Sequence, residues 1–86
     1  MKNLERILKA VANRRRLSIL AFLKNKSEAT VGEISRHIKL SFTATSQHLS
    51  VLYKADLVDK DQRSLEVFYS LAKSQERLVK NILLEI

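Results

Sequence analysis

The sequence contains no cysteine, no proline and a single glycine, Gly32. Without cysteine the chain can form neither a disulfide nor a thiolate metal site, and it has no thiol redox switch. The shortage of proline and glycine excludes collagen-like, linker-rich and loop-rich proteins and favours closely spaced helices. A chain of 86 residues is expected to form a single domain, residues 1–86, whose thin core gains burial from a partner subunit.

Acidic residues are few beside basic ones. Nine Asp and Glu stand against sixteen Lys and Arg, which gives a net charge of +7. This excess points to a polyanionic partner, nucleic acid first and an anionic membrane second, whereas the alternative is a solvated basic surface with no partner. No apolar run is long enough for a transmembrane span and no segment resembles a secretory signal, so we expect a soluble, cytoplasmic protein.

The residue patterns typical of enzymes are also missing. There is no Gly-rich phosphate loop, no nucleophile with a nearby His and acid, and no pair of carboxylates in an apolar frame. The two histidines, His37 and His48, are predicted to lie on different helices, and a zinc or nickel site needs several converging ligands. We therefore expect no catalytic activity, no metal and no cofactor.

The spacing of apolar residues predicts four successive helices. They span about residues 3–12, 14–24, 30–38 and 41–55. A polar residue that can act as N-cap stands at the start of each. These residues are Asn3, Asn13, Thr30 and Ser41. Thr30 and Glu33 form the pattern of a capping box, and only a tight link at residues 39–40 precedes the fourth helix.

After Asp56 the apolar period changes from helical to alternating, which predicts a β-hairpin. Its strands are expected at residues 57–61 and 65–71, joined by a turn at 62–64. A last helix, capped by Ser74, has an apolar stripe at Leu78, Val79, Ile82, Leu83 and Ile86. Two short helices with a tight turn, followed by a hairpin, make a winged helix-turn-helix. The fold class is therefore mainly helical α+β, in the order α-α-α-α-β-β-α.

The second helix of such a pair usually enters the major groove. Here the fourth helix has a polar, small and almost uncharged outward face, while Thr45, Leu49 and Leu52 are predicted to face inward. Gln can bond adenine in a bidentate manner, and Ser or Thr can contact almost any base. The alternative is a low-charge face packed against another protein. The candidates for base contacts are Phe42, Thr43, Ser46, Gln47, His48 and Ser50.

Two of these candidates have structural alternatives. Phe42 either touches a thymine methyl group or closes the turn over Leu40. His48, beside Leu49 and Leu52, either contacts DNA or is a half-buried helix residue.

Basic and capping residues flank this face. The run at residues 14–16 is either a phosphate site or an exposed basic turn. Arg36 and Lys39 lie beside the turn before the fourth helix, and Arg63 at the hairpin tip is within reach of a phosphate or the minor groove. The candidates for phosphate contacts are Arg14, Arg15, Arg36, Lys39, Ser41, Lys54 and Arg63.

The first and last helices carry apolar stripes that, if exposed, would form a patch unusual for a soluble monomer. We therefore expect a homodimer. Its predicted interface residues are Leu4, Ile7, Leu8, Val11, Leu78, Val79, Ile82 and Leu83.

Four segments are similar to those of a known family: AVANRRRLSIL at 10–20, LS followed by SQHLSVL within 40–52, ADLV at 55–58 and VFYSL at 67–71. With these segments in this order and spacing, the chain resembles the ArsR/SmtB family of bacterial repressors over nearly its whole length. The resemblance implies a dimer formed by the first and last helices, an operator with two-fold symmetry, and release of DNA when a signal binds.

Three departures from the family pattern matter. Metal sensors of the family often carry a Cys-x-Cys pair on the third helix, where this chain has residues 30–32 as Thr-Val-Gly. Others place His and acidic ligands on the last helix, where residues 75–77 are Gln-Glu-Arg with no His. The wing at 59–66 is nearly neutral, whereas in the family it usually carries a Gly and several Arg. We therefore expect no metal sensing and a small contribution of the wing to DNA binding.

These observations predict a sequence-specific regulator of transcription that binds double-stranded DNA, as a homodimeric repressor not controlled by metal. They do not indicate whether a small-molecule effector exists. One alternative is a winged-helix protein-interaction module, which would use the same helix face and the neutral wing. Another is an RNA-associated basic factor, for which more aromatic residues would be expected than the three Phe and two Tyr present. Membrane binding ranks last, because the basic residues do not lie opposite an apolar helical face.

Overall fold

The computed structural model describes residues 2–84. The described chain forms five helices and a small sheet. In chain order the elements are α1 (Lys2–Val11), α2 (Arg14–Asn25), β1 (Ala29–Thr30), α3 (Val31–Ile38), α4 (Phe42–Lys54), β2 (Val58–Arg63), β3 (Glu66–Leu71), a 3₁₀ turn (Lys73–Gln75) and α5 (Glu76–Leu83). The predicted winged helix-turn-helix, mainly helical with a hairpin before the last helix, is confirmed. Ile86, placed in the last stripe by the sequence, lies outside the described residues.

The sheet is antiparallel, with the strand order β1-β3-β2. The hairpin pairs run from Val58 with Leu71 to Arg63 with Glu66, so the turn contains only residues 64 and 65. Ser64 closes it in the left-handed region, with φ 57°. The predicted turn at 62–64 therefore begins two residues too early and ends one residue too early, and Leu65, predicted to start the return strand, lies at the exposed tip.

Strand β1 is an addition that the sequence did not predict. Its two residues pair with β3, Ala29 with Tyr69 and Thr30 with Phe68. A strand this short carries no readable alternation, so only the long-range pairing reveals it. It joins the start of α3 to the wing.

Helix caps explain where α2, α3 and α4 begin. The Asn13 Oδ1 atom accepts from the Arg16 amide at 3.1 Å, and the Ser41 hydroxyl accepts from the Ala44 amide at 3.1 Å. Thr30 and Glu33 form the predicted capping box in both directions. These three predictions are confirmed.

The caps predicted for the first and last helices are wrong. Helix α1 already includes Lys2, so Asn3 lies within it. Ser74 lies in the 3₁₀ turn, because the Gln75 amide donates to the Ala72 carbonyl at 3.0 Å and tightens the chain there. Helix α5 then begins without a side-chain cap.

The turn between α3 and α4 is as tight as predicted. Lys39 adopts the left-handed conformation, with φ 57° and ψ 51°, and its amide donates to the Ser35 carbonyl. The Leu40 amide donates to the same carbonyl at 3.0 Å. This C-cap ends α3 abruptly and allows Ser41 to start α4 in a new direction.

The core lies between the helices and one face of the sheet. Its fully buried side chains include Ile19, Leu20, Ile34, Leu49, Leu52, Leu57 and Val79. Thr45, Leu49 and Leu52 attach α4 to this core as predicted. The opposite side of α4 is thereby left at the surface.

The two terminal stripes are not exposed along their whole length. Ile7, Val11, Val79 and Leu83 are each at most 9% exposed, because they face the core of their own chain. The expectation that all eight predicted interface residues form an exposed patch is corrected for these four. Leu4 and Leu8 remain exposed, at 45% and 54%, and Leu78 and Ile82 are half-buried. In the described part of the chain, no helix has the length and apolar character needed to cross a membrane.

A buried hydroxyl in α4 gives a prediction about stability. The Thr45 side chain is fully buried, and its Oγ1 atom has no hydrogen-bond partner among the described residues. Replacing this hydroxyl by a methyl group of the same shape removes a desolvation penalty. We expect Thr45→Val to raise the free energy of unfolding, measured by urea denaturation, by about 1 kcal/mol.

The matched control is Thr43→Val, which makes the same change on the exposed side of the same helix. It is expected to leave the unfolding free energy within about 0.5 kcal/mol of the original value. A clear loss of stability in Thr45→Val would show that the hydroxyl has a partner after all.

Candidate nucleic-acid interface

Helix α4 presents a polar face to solvent. Thr43, Gln47 and Ser50 are exposed, and Ser46 is half-buried beside them. Since the opposite side is fixed in the core by Thr45, Leu49 and Leu52, this face keeps its orientation without a partner. No acidic residue occurs within Phe42–Lys54. The face therefore offers hydroxyl and amide groups free of negative charge.

Phe42 lies at the start of the same helix and is 61% exposed. It lies beside a small cleft of about 200 Å³ between α3 and the wing, together with Leu65 and Val67. The ring is thus available at the surface for a partner. Its predicted contact with a base stays a prediction.

Several predicted phosphate contacts lie around the helix-turn-helix. Arg36 and Lys39 are exposed at the end of α3, and Ser41 is exposed at the start of α4. Arg14 is exposed at the start of α2. The guanidinium of Arg15 donates from α2 to the Ile38 carbonyl at the end of α3, at 2.9 Å. That carbonyl carries no net charge, so Arg15 keeps its positive charge at this surface.

Arg16 of α2 links its own helix to α1 and α4, a role that no pattern in the sequence indicates. Its Nε atom donates to the Ala10 carbonyl at 2.5 Å, and its Nη2 atom to the Lys9 carbonyl at 3.3 Å. Its Nη1 atom lies 3.2 Å from Nδ1 of His48. The side chain thus caps the end of α1 from α2 and holds α4 against both.

This contact decides where His48 lies. His48 is half-buried, and it sits about 100° around the helix from Gln47, since an α-helix has about 3.6 residues per turn. Burial lowers the pKa of its imidazole, and the positive charges of Arg16 and Arg15 lower it further. The neutral ring accepts the Arg16 hydrogen bond through Nδ1. This arrangement favours the structural alternative for His48, and its base contact stays a prediction.

The wing places Arg63 among carboxylates. Its guanidinium donates to both Glu28 oxygens, at 2.6 and 2.8 Å, and to Asp61 at 2.9 Å. It also lies 4.4 Å from the centre of the Phe68 ring. These bonds raise the pKa of Arg63 and lower that of Glu28. Its positive charge is compensated, which argues against the predicted phosphate contact at this position.

The described side chains contain no group of three His, Cys, Asp or Glu residues arranged to hold a metal ion. His37 stacks on Phe22 of α2, with ring centres 4.2 Å apart. His37 and His48 therefore make separate contacts on different helices.

Two helices joined by a tight turn, followed by an antiparallel hairpin, define a winged helix-turn-helix protein. Residues 13–60 match the family model described as "Bacterial regulatory protein, arsR family". These residues include α2, the whole helix-turn-helix and the start of β2. The chain belongs to the arsR family of bacterial regulatory proteins, which are DNA-binding regulators of transcription and not enzymes.

Individual relatives agree with this assignment. The chain is 40% identical over 77 residues to the transcriptional activator HlyU of Vibrio cholerae, covering 90% of this chain and 70% of that protein. It is 31% identical over 65 residues to the transcriptional repressor SdpR of Bacillus subtilis, covering 76% of this chain and 71% of that protein.

A solved structure is similar over almost the whole chain. It is the solution structure of a homodimeric winged helix-turn-helix DNA-binding domain from Mycobacterium bovis, a possible ArsR-family transcriptional regulator. The TM-score is 0.90 at 28% sequence identity, covering 98% of this chain and 78% of that one.

The lowered pKa of His48 gives a prediction about pH. Because the folded state disfavours the protonated ring, stability is complete above the ordinary histidine pKa of about 6.5. It should fall as the pH drops through that value toward the lower pKa of the folded state. Protonated His48 would face the Arg16 guanidinium and lose its acceptor atom.

The test compares the wild type with His48→Asn, whose amide oxygen can accept the Arg16 bond but does not titrate. We expect the difference in unfolding free energy between the two to change between about pH 7.5 and 5.5, in favour of the variant as the pH falls. The carboxyl groups of Glu28 and Glu33, whose pKa values are lowered, titrate below this range. Parallel stability curves across this range would contradict the assignment.

Proposed function

We propose that the protein binds a two-fold symmetric DNA operator as a homodimer and represses transcription there. The observation that carries the proposal is the exposed face of α4, which is free of acidic residues, rich in hydroxyl and amide groups, and fixed to the core from behind. An α-helix fits the major groove of B-form DNA, where each base pair presents a distinct set of donors and acceptors. A regulator of this kind acts in the bacterial cytoplasm.

Base reading is assigned to this face. The Gln47 amide can donate to and accept from one adenine, which is the geometry that distinguishes A·T from the other pairs. Thr43, Ser46 and Ser50 add hydroxyl groups on the same side of the helix. Phe42, the first residue of α4, is proposed to contact a thymine methyl group.

Phosphate contacts are assigned to residues around this face. Their task is to fix the position of the protein on the duplex, which requires charge or a donor but no base-specific geometry. Exposure and the absence of a neutralising carboxylate support five of the predicted cations better than Arg63, and Ser41 offers an exposed hydroxyl donor. The five cations are Arg14, Arg15, Arg36, Lys39 and Lys54.

The dimer is assigned to the exposed parts of the terminal helices. Leu4 and Leu8 of α1 are exposed, and Leu84 at the end of α5 is 72% exposed. Half-buried Leu78 and Ile82 lie on the same last helix. A second copy of the chain would cover this surface, and the similar domain from Mycobacterium bovis is homodimeric. A symmetric dimer requires a symmetric operator.

Repression follows most simply from occupancy. A dimer bound over a promoter excludes polymerase without any further contact, whereas activation needs either such a contact or the removal of a competitor. The named relatives include both an activator and a repressor, so the position of the operator decides the sign. Regulation by a signal other than a metal stays a prediction from the sequence, which contains no cysteine.

Separate roles for base and phosphate contacts give the test of this function. Gln47→Ala should weaken binding to the operator selected from a random duplex library by about 1–3 kcal/mol, with little effect on random-sequence DNA. Arg36→Ala should weaken binding to both, and should lower the slope of log K against log salt by about two per symmetric dimer. Fluorescence anisotropy across a salt series measures both quantities.

The matched control is Asn25→Ala, which removes an exposed amide at the far end of α2, outside the surfaces proposed for DNA binding and dimerisation, and should change neither affinity. If Gln47→Ala weakens both duplexes equally, or neither, the α4 face does not read bases. Undetectable binding of the wild type to any duplex at low salt would instead favour a protein-interaction module.

A further inference from the structure

We propose that the cleft between α1 and the C-terminal half of α4 binds the phosphate backbone of DNA, with Arg6 and Lys9 as its main contacts. No pattern in the sequence points to either residue. The inference rests on the proposed DNA-binding function and names an additional part of that interface.

The cleft is basic and lies at the surface. Its volume is about 540 Å³, and four cationic side chains and one acidic side chain line it. Ala10 and Val51 form an apolar floor. The lining residues are Glu5, Arg6, Lys9, Ala10, Arg16, Val51 and Lys54. Five of them are exposed, which suits an extended partner lying across the cleft better than a small molecule enclosed within it.

The cations of the cleft are not neutralised by carboxylates. Arg6 donates to the backbone carbonyl of Lys54 at 3.4 Å, and Arg16 donates to the carbonyls of α1. Neither kind of carbonyl carries a net charge. The ion pairs seen between described side chains include those of Lys26 with Glu33 and of Arg63 with Glu28 and Asp61. None of these pairs involves a residue of the cleft.

The cleft adjoins the face that is proposed to read bases. At about 100° per residue, Lys54 lies within about 20° of Thr43 around the helix. Val51 lies one turn beyond Gln47, between that face and α1. A duplex lying along α4 would therefore bring the backbone that flanks its major groove next to Arg6 and Lys9.

Phosphate contacts in the cleft would also compensate for the low positive charge of the wing. Residues 58–71 contain two cations, Lys60 and Arg63, and three acidic residues, and Arg63 is paired twice. The phosphate contacts that a basic wing would supply are therefore missing on that side. The α1 side has the charge to supply them, because phosphate binding depends on cations that can replace condensed counterions.

The test measures the salt dependence of binding to a random-sequence duplex of about 30 bp, since phosphate contacts dominate non-specific affinity. We expect Lys9→Gln and Arg6→Gln each to lower the slope of log K against log salt by about two per dimer. At about 0.1 M salt this corresponds to an affinity loss of about 10-fold to 100-fold. Glu5→Gln, which removes the one acidic group of the cleft, should strengthen binding.

The matched control is Lys24→Gln, the same loss of charge at the far end of α2, where Lys24 lines a different groove. It should leave the slope unchanged. Thermal unfolding of each variant shows whether a lower affinity comes from a lost DNA contact or from a lost fold. Lys9→Gln is expected to keep the fold, because Lys9 contributes only its backbone carbonyl to the Arg16 bonds.

Two results would overturn the inference. In the first, Arg6→Gln and Lys9→Gln show the same slope of log K against log salt as Lys24→Gln, while Arg36→Ala still lowers it. This result leaves the proposed function intact. In the second, the slope is unchanged but calorimetry shows that the two variants lose binding of inorganic phosphate, which would make the cleft a small-anion site. Failure of the wild type to bind DNA at all would count against the proposed function itself.

Discussion

One side chain, Arg16, joins α1, α2 and α4, and it adds to the core contacts of Thr45, Leu49 and Leu52 that hold α4 in place. Arg16 lies on α2, and its guanidinium donates to carbonyls at the C-terminal end of α1 and to His48 of α4. Hydrogen bonds to a charged group contribute about 1.5–3 kcal/mol each when their partners are shielded from water. Because the three helices meet at this half-buried group, the cleft between α1 and α4 has a fixed width, and the outward face of α4 has a fixed direction relative to α1.

A division of charge follows from this framework. Three carboxylates near the wing are used within the fold, where Glu28 and Asp61 hold Arg63, and Glu33 caps α3 and binds Lys26. The cations that line the cleft between α1 and α4 form no ion pair with any described side chain. The positive field of the molecule is therefore concentrated beside α4 rather than at the wing, and a polyanion would be drawn to that side.

Local chemistry made much of the fold predictable. Asn13, Thr30 and Ser41 each cap a helix through bonds to residues three positions away, and such short-range patterns can be read from the sequence.

The features that the sequence did not predict are of two kinds. Strand β1 and the 3₁₀ turn before α5 are too short to show a period. The pairs of Arg16 with His48 and of Arg63 with Glu28 join residues 32 and 35 positions apart, so only the folded chain reveals that one arginine is a structural link and the other is neutralised. The outward face of α4 was predictable because its inner residues are apolar at helical spacing, whereas the α1 side of the cleft required the packing of two helices.

The most direct test of this interface is to map which backbone amides change environment when DNA binds, using ¹H–¹⁵N spectra of the 9.9 kDa chain titrated with a short duplex. We expect shifts for Ser46, Gln47 and Ser50 in α4 and for Arg6 and Lys9 in α1, with the signals of Ser64 and Leu65 at the wing tip unchanged. Large shifts at the wing tip with α1 unaffected would contradict the proposed placement of DNA.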